Sequence, residues 1–222
     1  GGESSLRVLV IASGGHGLSR PRLEASASIA LLGSAGHRCL SCDAAAGIAK
    51  LDRLLCGQSV MLFSGHADAS VRLGRPGLES GARRDGTLAF ARGDLVEAVD
   101  AEALTRIIAA HSSSLRFVLL NGCRSLHLAL RLVHAGIQAV ACWETAVPDE
   151  AATHFGVGIA RALAHGGDMG RVFDAGIAAV LSATELAPSG RAWVPRYALV
   201  CPAAANANME TGRLPDGHPS GG

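Results

Sequence analysis

The chain has 222 residues, 49% of them hydrophobic and 18% charged, enough for one α/β domain with a substantial core and short of two full domains. Its 20 basic and 19 acidic residues leave a formal charge of +1, and aromatics make up only 4%, which excludes the basic, aromatic-interleaved surface of a nucleic-acid binder. Six cysteines without a pairing pattern argue against a disulfide scaffold and for reduced thiols in a cytoplasmic protein.

No run approaches the roughly 18 apolar residues of a membrane span, and no signal peptide is recognisable, so no membrane partner is expected. The chain opens on Gly-Gly and not on Met, and it is expected to belong to something longer.

Short apolar runs alternate with longer helical patterns, which predicts a parallel sheet covered on both faces. Taken in chain order, strands are expected at Arg7–Ala12, His37–Cys42, Ser59–Gly65, Leu115–Asn121, Ile137–Trp143 and Arg196–Cys201. Helices are expected between them, at Pro21–Gly33, Ala46–Cys56, Ala101–Ala110, Ser125–Ala135, Asp149–Ala164 and Asp168–Ser182. The helix after Pro148 begins favourably, with Pro before its first turn and Asp149 and Glu150 inside it. Between Ala67 and Asp100, VRLG and GTLAF flank a Gly-Arg-Arg-Asp-Gly turn, which predicts a β-hairpin beside the sheet. The aperiodic, Gly/Pro/Asn-rich segment Pro202–Gly222 reads as a disordered tail after a single domain over residues 1–201.

In an open parallel sheet, ligands sit outside the carboxyl ends of the strands. Three such ends carry reactive residues here: SGGHG (Ser13–Gly17), SGHA (Ser64–Ala67) and NGCRS (Asn121–Ser125). If the third and fourth strands are neighbours, their tips lie roughly 5 Å apart and His66 and Cys123 can reach one substrate carbonyl. Cys123 is expected at a helix start, where free backbone N–H groups favour a thiolate. His66 could take the thiol proton or protonate the leaving amine, and the backbone N–H groups of Cys123 and Ala67 could form an oxyanion hole. Gly65 and Gly122 are expected to allow sharp strand-to-loop turns. On residue chemistry alone, packing roles for Cys123 and His66 stay open beside the catalytic ones.

VMLFSGHA, VLLNGC, the run CWETAVPDEAATHFGVGIARAL (Cys142–Leu163) and a closing PRYALV strand, in this order, resemble the caspase-fold cysteine peptidases of clan CD. The chain is most similar to their CHAT domains, over roughly Leu6 to Val200. The resemblance implies a three-layer αβα caspase-like fold whose six-stranded sheet ends in an antiparallel strand. It also implies a His66–Cys123 dyad acting on a protein or peptide substrate, and an upstream TPR or regulatory domain in the full-length protein. The family usually has Gly after the His, where this chain has Ala67. By the same resemblance, substrate is read by Ser13 to His16, Asn121, Glu144 and Asp149. Separases, relatives that cut after Arg, are acidic beside the matching Trp, so Glu144 could meet a basic P1 side chain. For Asp149 and Glu150 the alternative is capping the following helix. A catalytically silent CHAT module that binds a partner protein is the second reading.

Other signals carry less. Cys39 and Cys42 form a CxxC, but within a strand and on opposite faces, so they read as packing. Cys56, Cys142 and Cys201 end apolar runs and read as core. The nine histidines have no metal-ligand spacing, and SGGHG is not a phosphate-binding motif, so neither metal nor cofactor is expected.

Overall fold

A computed structural model describes residues 5–13, 20–43, 48–65, 67, 88–92, 95–99, 101–185 and 197–201. The apolar runs become β1 (Arg7–Ser13), β2 (Arg38–Asp43), β3 (Val60–Gly65), β6 (Phe117–Asn121), β7 (Ala139–Trp143) and β8 (Tyr197–Val200). A hairpin, β4 (Leu88–Arg92) and β5 (Leu95–Val99), forms a separate two-stranded sheet that packs on the same core. The helices are α1 (Arg20–Ser34), α2 (Ile48–Leu55), α3 (Ala101–Ala109), α4 (Leu126–His134), α5 (Asp149–Ala164) and α6 (Met169–Glu185).

The six strands form one sheet in the order β2-β1-β3-β6-β7-β8. All pairs are parallel except the last, β7 with β8. Strands β3 and β6 are buried from end to end, as expected of central strands covered on both faces. Side-chain alternation sends Met61, Phe63, Val118 and Leu120 into a core shared with α2, α3 and α4. It sends Val60, Leu62, Phe117 and Leu119 to the other face, against α1, α5 and α6. The predicted three-layer architecture with an antiparallel last strand is therefore present. Cys39 and Cys42 pack into opposite cores, as the strand period requires.

The hairpin differs from expectation. GTLAF supplies β4, but its partner is Leu95–Val99, and VRLG lies outside the described residues. In the sequence, Gly93-Asp94 falls between the two strands, a Gly-X pair of the kind that signals two-residue hairpins. Cys56 is exposed and not core, because it follows the last turn of α2 instead of pointing back into it. The expected tail, Pro202–Gly222, lies outside the described residues.

Candidate active site

The adjacency of β3 and β6 positions the site. Ser64 is the register partner of Asn121, so Gly65 and Gly122 come side by side just past them. A Cβ on Gly122 would lie 2.6 Å from the Gly65 carbonyl oxygen and 2.7 Å from Ala67 Cβ. One on Gly65 would lie 2.5 Å from Ser13 Cβ. Neither glycine has a positive φ. Close approach of three chain segments, and not a special turn, is what requires glycine here.

Cys123 follows, half-buried, in a turn two residues ahead of Ser125, the N-cap of α4. It therefore stands just ahead of the helix, which begins at Ser125 as the sequence predicts. The reason is Ser125, whose hydroxyl donates to the carbonyls of Leu120 and Gly122, 2.9 Å each, and folds the turn back on the strand. Arg124, next in the turn, is exposed and has φ 48°, an uncommon conformation for a residue with a side chain. Cys123 Sγ accepts the Val147 N–H at 3.3 Å and lies 3.7 Å from the Val147 carbonyl oxygen.

A cavity of about 30 Å³ opens beside Cys123. Arg20, Glu24, Ser64, Cys123, Asp149 and Thr153 all border it. At that volume it holds a water or two. Glu24 was not singled out in the sequence, although it falls on the buried stripe of α1 with Pro21, Ala25, Ser28 and Leu32. An acid on an otherwise apolar and small-residue face was the available signal. It is 4% exposed, and it accepts hydrogen bonds from Ser64 Oγ at 2.7 Å and Asn121 Nδ2 at 2.9 Å. Burial pushes its carboxyl up to about 8, against the pull of the Asn121 and Ser64 hydrogen bonds.

The remaining expected site residues are distributed as follows. His66 and His16 lie outside the described residues. Ala67 is buried and bridges Leu88 of the hairpin, with its backbone nitrogen close to Gly122. Ser13 is buried under Gly65. Asn121 borders the cavity, yet its amide is directed inward instead of toward a ligand. It donates to Glu24 and to the Ala152 carbonyl at 2.7 Å, and accepts the Trp143 indole N–H at 2.6 Å. Asp149 borders the cavity in the first turn of α5, whose N-cap is Pro148. Glu144 does not border the cavity. Its charge acts on Cys142, whose thiol is pushed up by burial first and by Glu144 second. Cys142 packs in the α2–α4 core, the face of β7 opposite Trp143. Among the described residues, no group of three or more His, Cys, Asp or Glu is placed to hold a metal, and no helix is long and apolar enough to cross a membrane.

Because Glu24 holds its proton in the fold to about pH 8 but loses it near 4.5 when unfolded, the native state binds more protons between those values. Its contribution to stability must fall as pH rises through that window. Glu24→Gln removes the titration. Urea unfolding at pH 5, 6.5 and 8 should show wild type losing ground to Glu24→Gln by an amount on the order of a few kcal/mol. Parallel pH dependences would mean that Glu24 is not held neutral.

Compared with solved structures, the chain is similar to the Arg-specific cysteine proteinase gingipain R (RgpB), with a TM-score of 0.55 and 11% identity. The fold is caspase-like. A complex of the pro- and mature domains of Porphyromonas gingivalis RgpB gives the same TM-score and identity. The two matches cover 81% and 82% of this chain but 42% and 43% of those chains, so the chain spans less than half of the proteinases it resembles. No protein-family profile and no curated protein matches it.

Proposed function

We propose that the chain is a cysteine endopeptidase of the caspase-like, CHAT type, in which Cys123 is the nucleophile and His66 its proton partner. The observation that carries this reading is the parallel β3–β6 pairing in register at Ser64 and Asn121. His66 and Cys123 each follow two residues beyond that pair, and Cys123 is half-buried at the edge of a cavity. The thiolate would attack the substrate carbonyl carbon, and the oxyanion would be held by the backbone N–H groups of Cys123 and Ala67. His66 would protonate the departing amine and then draw a proton from the water that hydrolyses the thioester.

A basic P1 residue is the finer part of the proposal. Asp149 on the cavity wall supports it better than Glu144, which does not border that cavity. The second reading, a silent module that binds a protein partner, is favoured by the cavity's small volume and by the engagement of Cys123 Sγ with Val147.

Brief iodoacetamide treatment near neutral pH, read by mass spectrometry, tests the nucleophile. A thiolate at Cys123 would find the Val147 N–H already aimed at it, so Cys123 should be alkylated before Cys56, although Cys56 is the more exposed. Labelling of Cys56 or Cys201 first would argue that Cys123 is structural.

A further inference from the structure

The catalytic scheme above makes no use of Glu24, although its carboxyl is the best-connected buried polar group near Cys123. Glu24 reaches in from α1 and is gripped from both central strands, by Ser64 Oγ and by Asn121 Nδ2. Those two residues are register partners, and each stands two positions before one member of the proposed pair, His66 or Cys123. Asn121 carries the connection onward to Ala152 on α5 and to Trp143 on β7. Gly156 on α5 leaves the space into which the carboxyl fits, since a Cβ there would lie 2.5 Å from Glu24 Cδ and closer still to Oε1. The grip falls at the carboxyl ends of both strands, where a shift of either end would move the reactive residue that follows it. A tie buried in mid-strand would not have that leverage.

We propose that Glu24 is a positioning residue, its carboxyl fixing the strand end that leads to His66 against the strand end that leads to Cys123. The proposal rests on the peptidase reading of the same site. Positioning by hydrogen bonds and not by charge has a specific consequence for substitution. In Glu24→Gln, Oε1 can still accept from Asn121, and Nε2 can donate to the Ser64 hydroxyl. In Glu24→Ala both bonds are lost and Asn121 Nδ2 keeps only the Ala152 carbonyl as acceptor.

The test compares wild type, Glu24→Gln, Glu24→Ala and Ser64→Ala by circular dichroism, thermal melting and peptide hydrolysis. Glu24→Gln should keep kcat and KM within about threefold of wild type. Glu24→Ala should lower kcat at least about 30-fold with KM within about threefold, because misplacing a nucleophile weakens the transition state more than binding. Ser64→Ala, which removes one bond without opening a large cavity, should lower kcat about 5- to 10-fold and decides the matter if Glu24→Ala fails to fold. Full activity in Glu24→Ala or Ser64→Ala overturns the proposal. So does a Glu24→Gln enzyme as impaired as Glu24→Ala, which would assign the effect to charge, and so does a loss confined to KM, which would assign it to substrate binding. If wild type hydrolyses nothing while Glu24→Ala still lowers the melting temperature, the peptidase reading has failed and the tie is structural only.

Discussion

Replacing Gly156 with alanine should destabilise the fold by about 3 kcal/mol and lower its melting temperature by about 6–12 °C. Two effects oppose each other. Within a helix, Gly→Ala alone gains close to 1 kcal/mol. At Gly156 the added methyl would meet the Glu24 carboxyl and come within 3.0 Å of Asn121 Nδ2. A flexible surface side chain would swing away from such a contact. This carboxyl cannot, because Ser64 and Asn121 hold it from the other side. Overpacking and loss of the buried hydrogen bonds together exceed the helix gain. Gly33→Ala is the control: nothing lies within 4 Å of its Cβ and its φ is not positive, so it should be neutral or slightly stabilising. Thermal melts of the two variants make the comparison. A Gly156→Ala protein as stable as wild type would mean that α1 and α5 do not approach as closely as described.

Much of the fold was legible because its parts are locally consistent. The apolar runs at Val60–Gly65 and Phe117–Asn121 are uninterrupted, as strands buried on both faces must be. Their adjacency and parallel register follow from that architecture and put the two glycine-containing tips together. What was not legible depended on tertiary distance. Gly65 and Gly122 read as turn formers, but the chain segments crowding them show in no local pattern. The helix beginning at Ser125 was legible from the pattern after NGCRS, while the Ser125 hydroxyl bonds to Leu120 and Gly122 that shape the turn ahead of it are invisible in sequence. Cys56 read as core from the apolar run before it and is exposed.

Glu24 shows this limit most plainly. Periodicity marks its position as inward-facing, yet its partners come from residues 40 and 97 positions away along the chain. Trp143 shows the same limit. Its burial is predictable from the strand, but its indole hydrogen bond to Asn121 and its ring contact with Phe155, centroids 4.9 Å apart, are products of the assembled fold.

The central claim is that Cys123 performs peptide-bond hydrolysis, and removing a nucleophile should have the largest effect of any single change. Cys123→Ala leaves no atom able to form the thioester, and losses on the order of 10⁴-fold or more accompany such deletions in triad-type enzymes. The substitution removes one half-buried sulfur and its bond from Val147, so the protein should remain folded. His66→Ala should follow it closely, since a thiol without its proton partner attacks slowly and cannot protonate the leaving amine. The most direct measurement is a peptide-library digest by wild type, Cys123→Ala and His66→Ala, with cleavage sites read by mass spectrometry. Wild type should cut, with a basic residue at P1 and Arg ahead of Lys, and both variants should leave the library intact. Cleavage by Cys123→Ala at the wild-type rate, or a library untouched by wild type, would contradict the account.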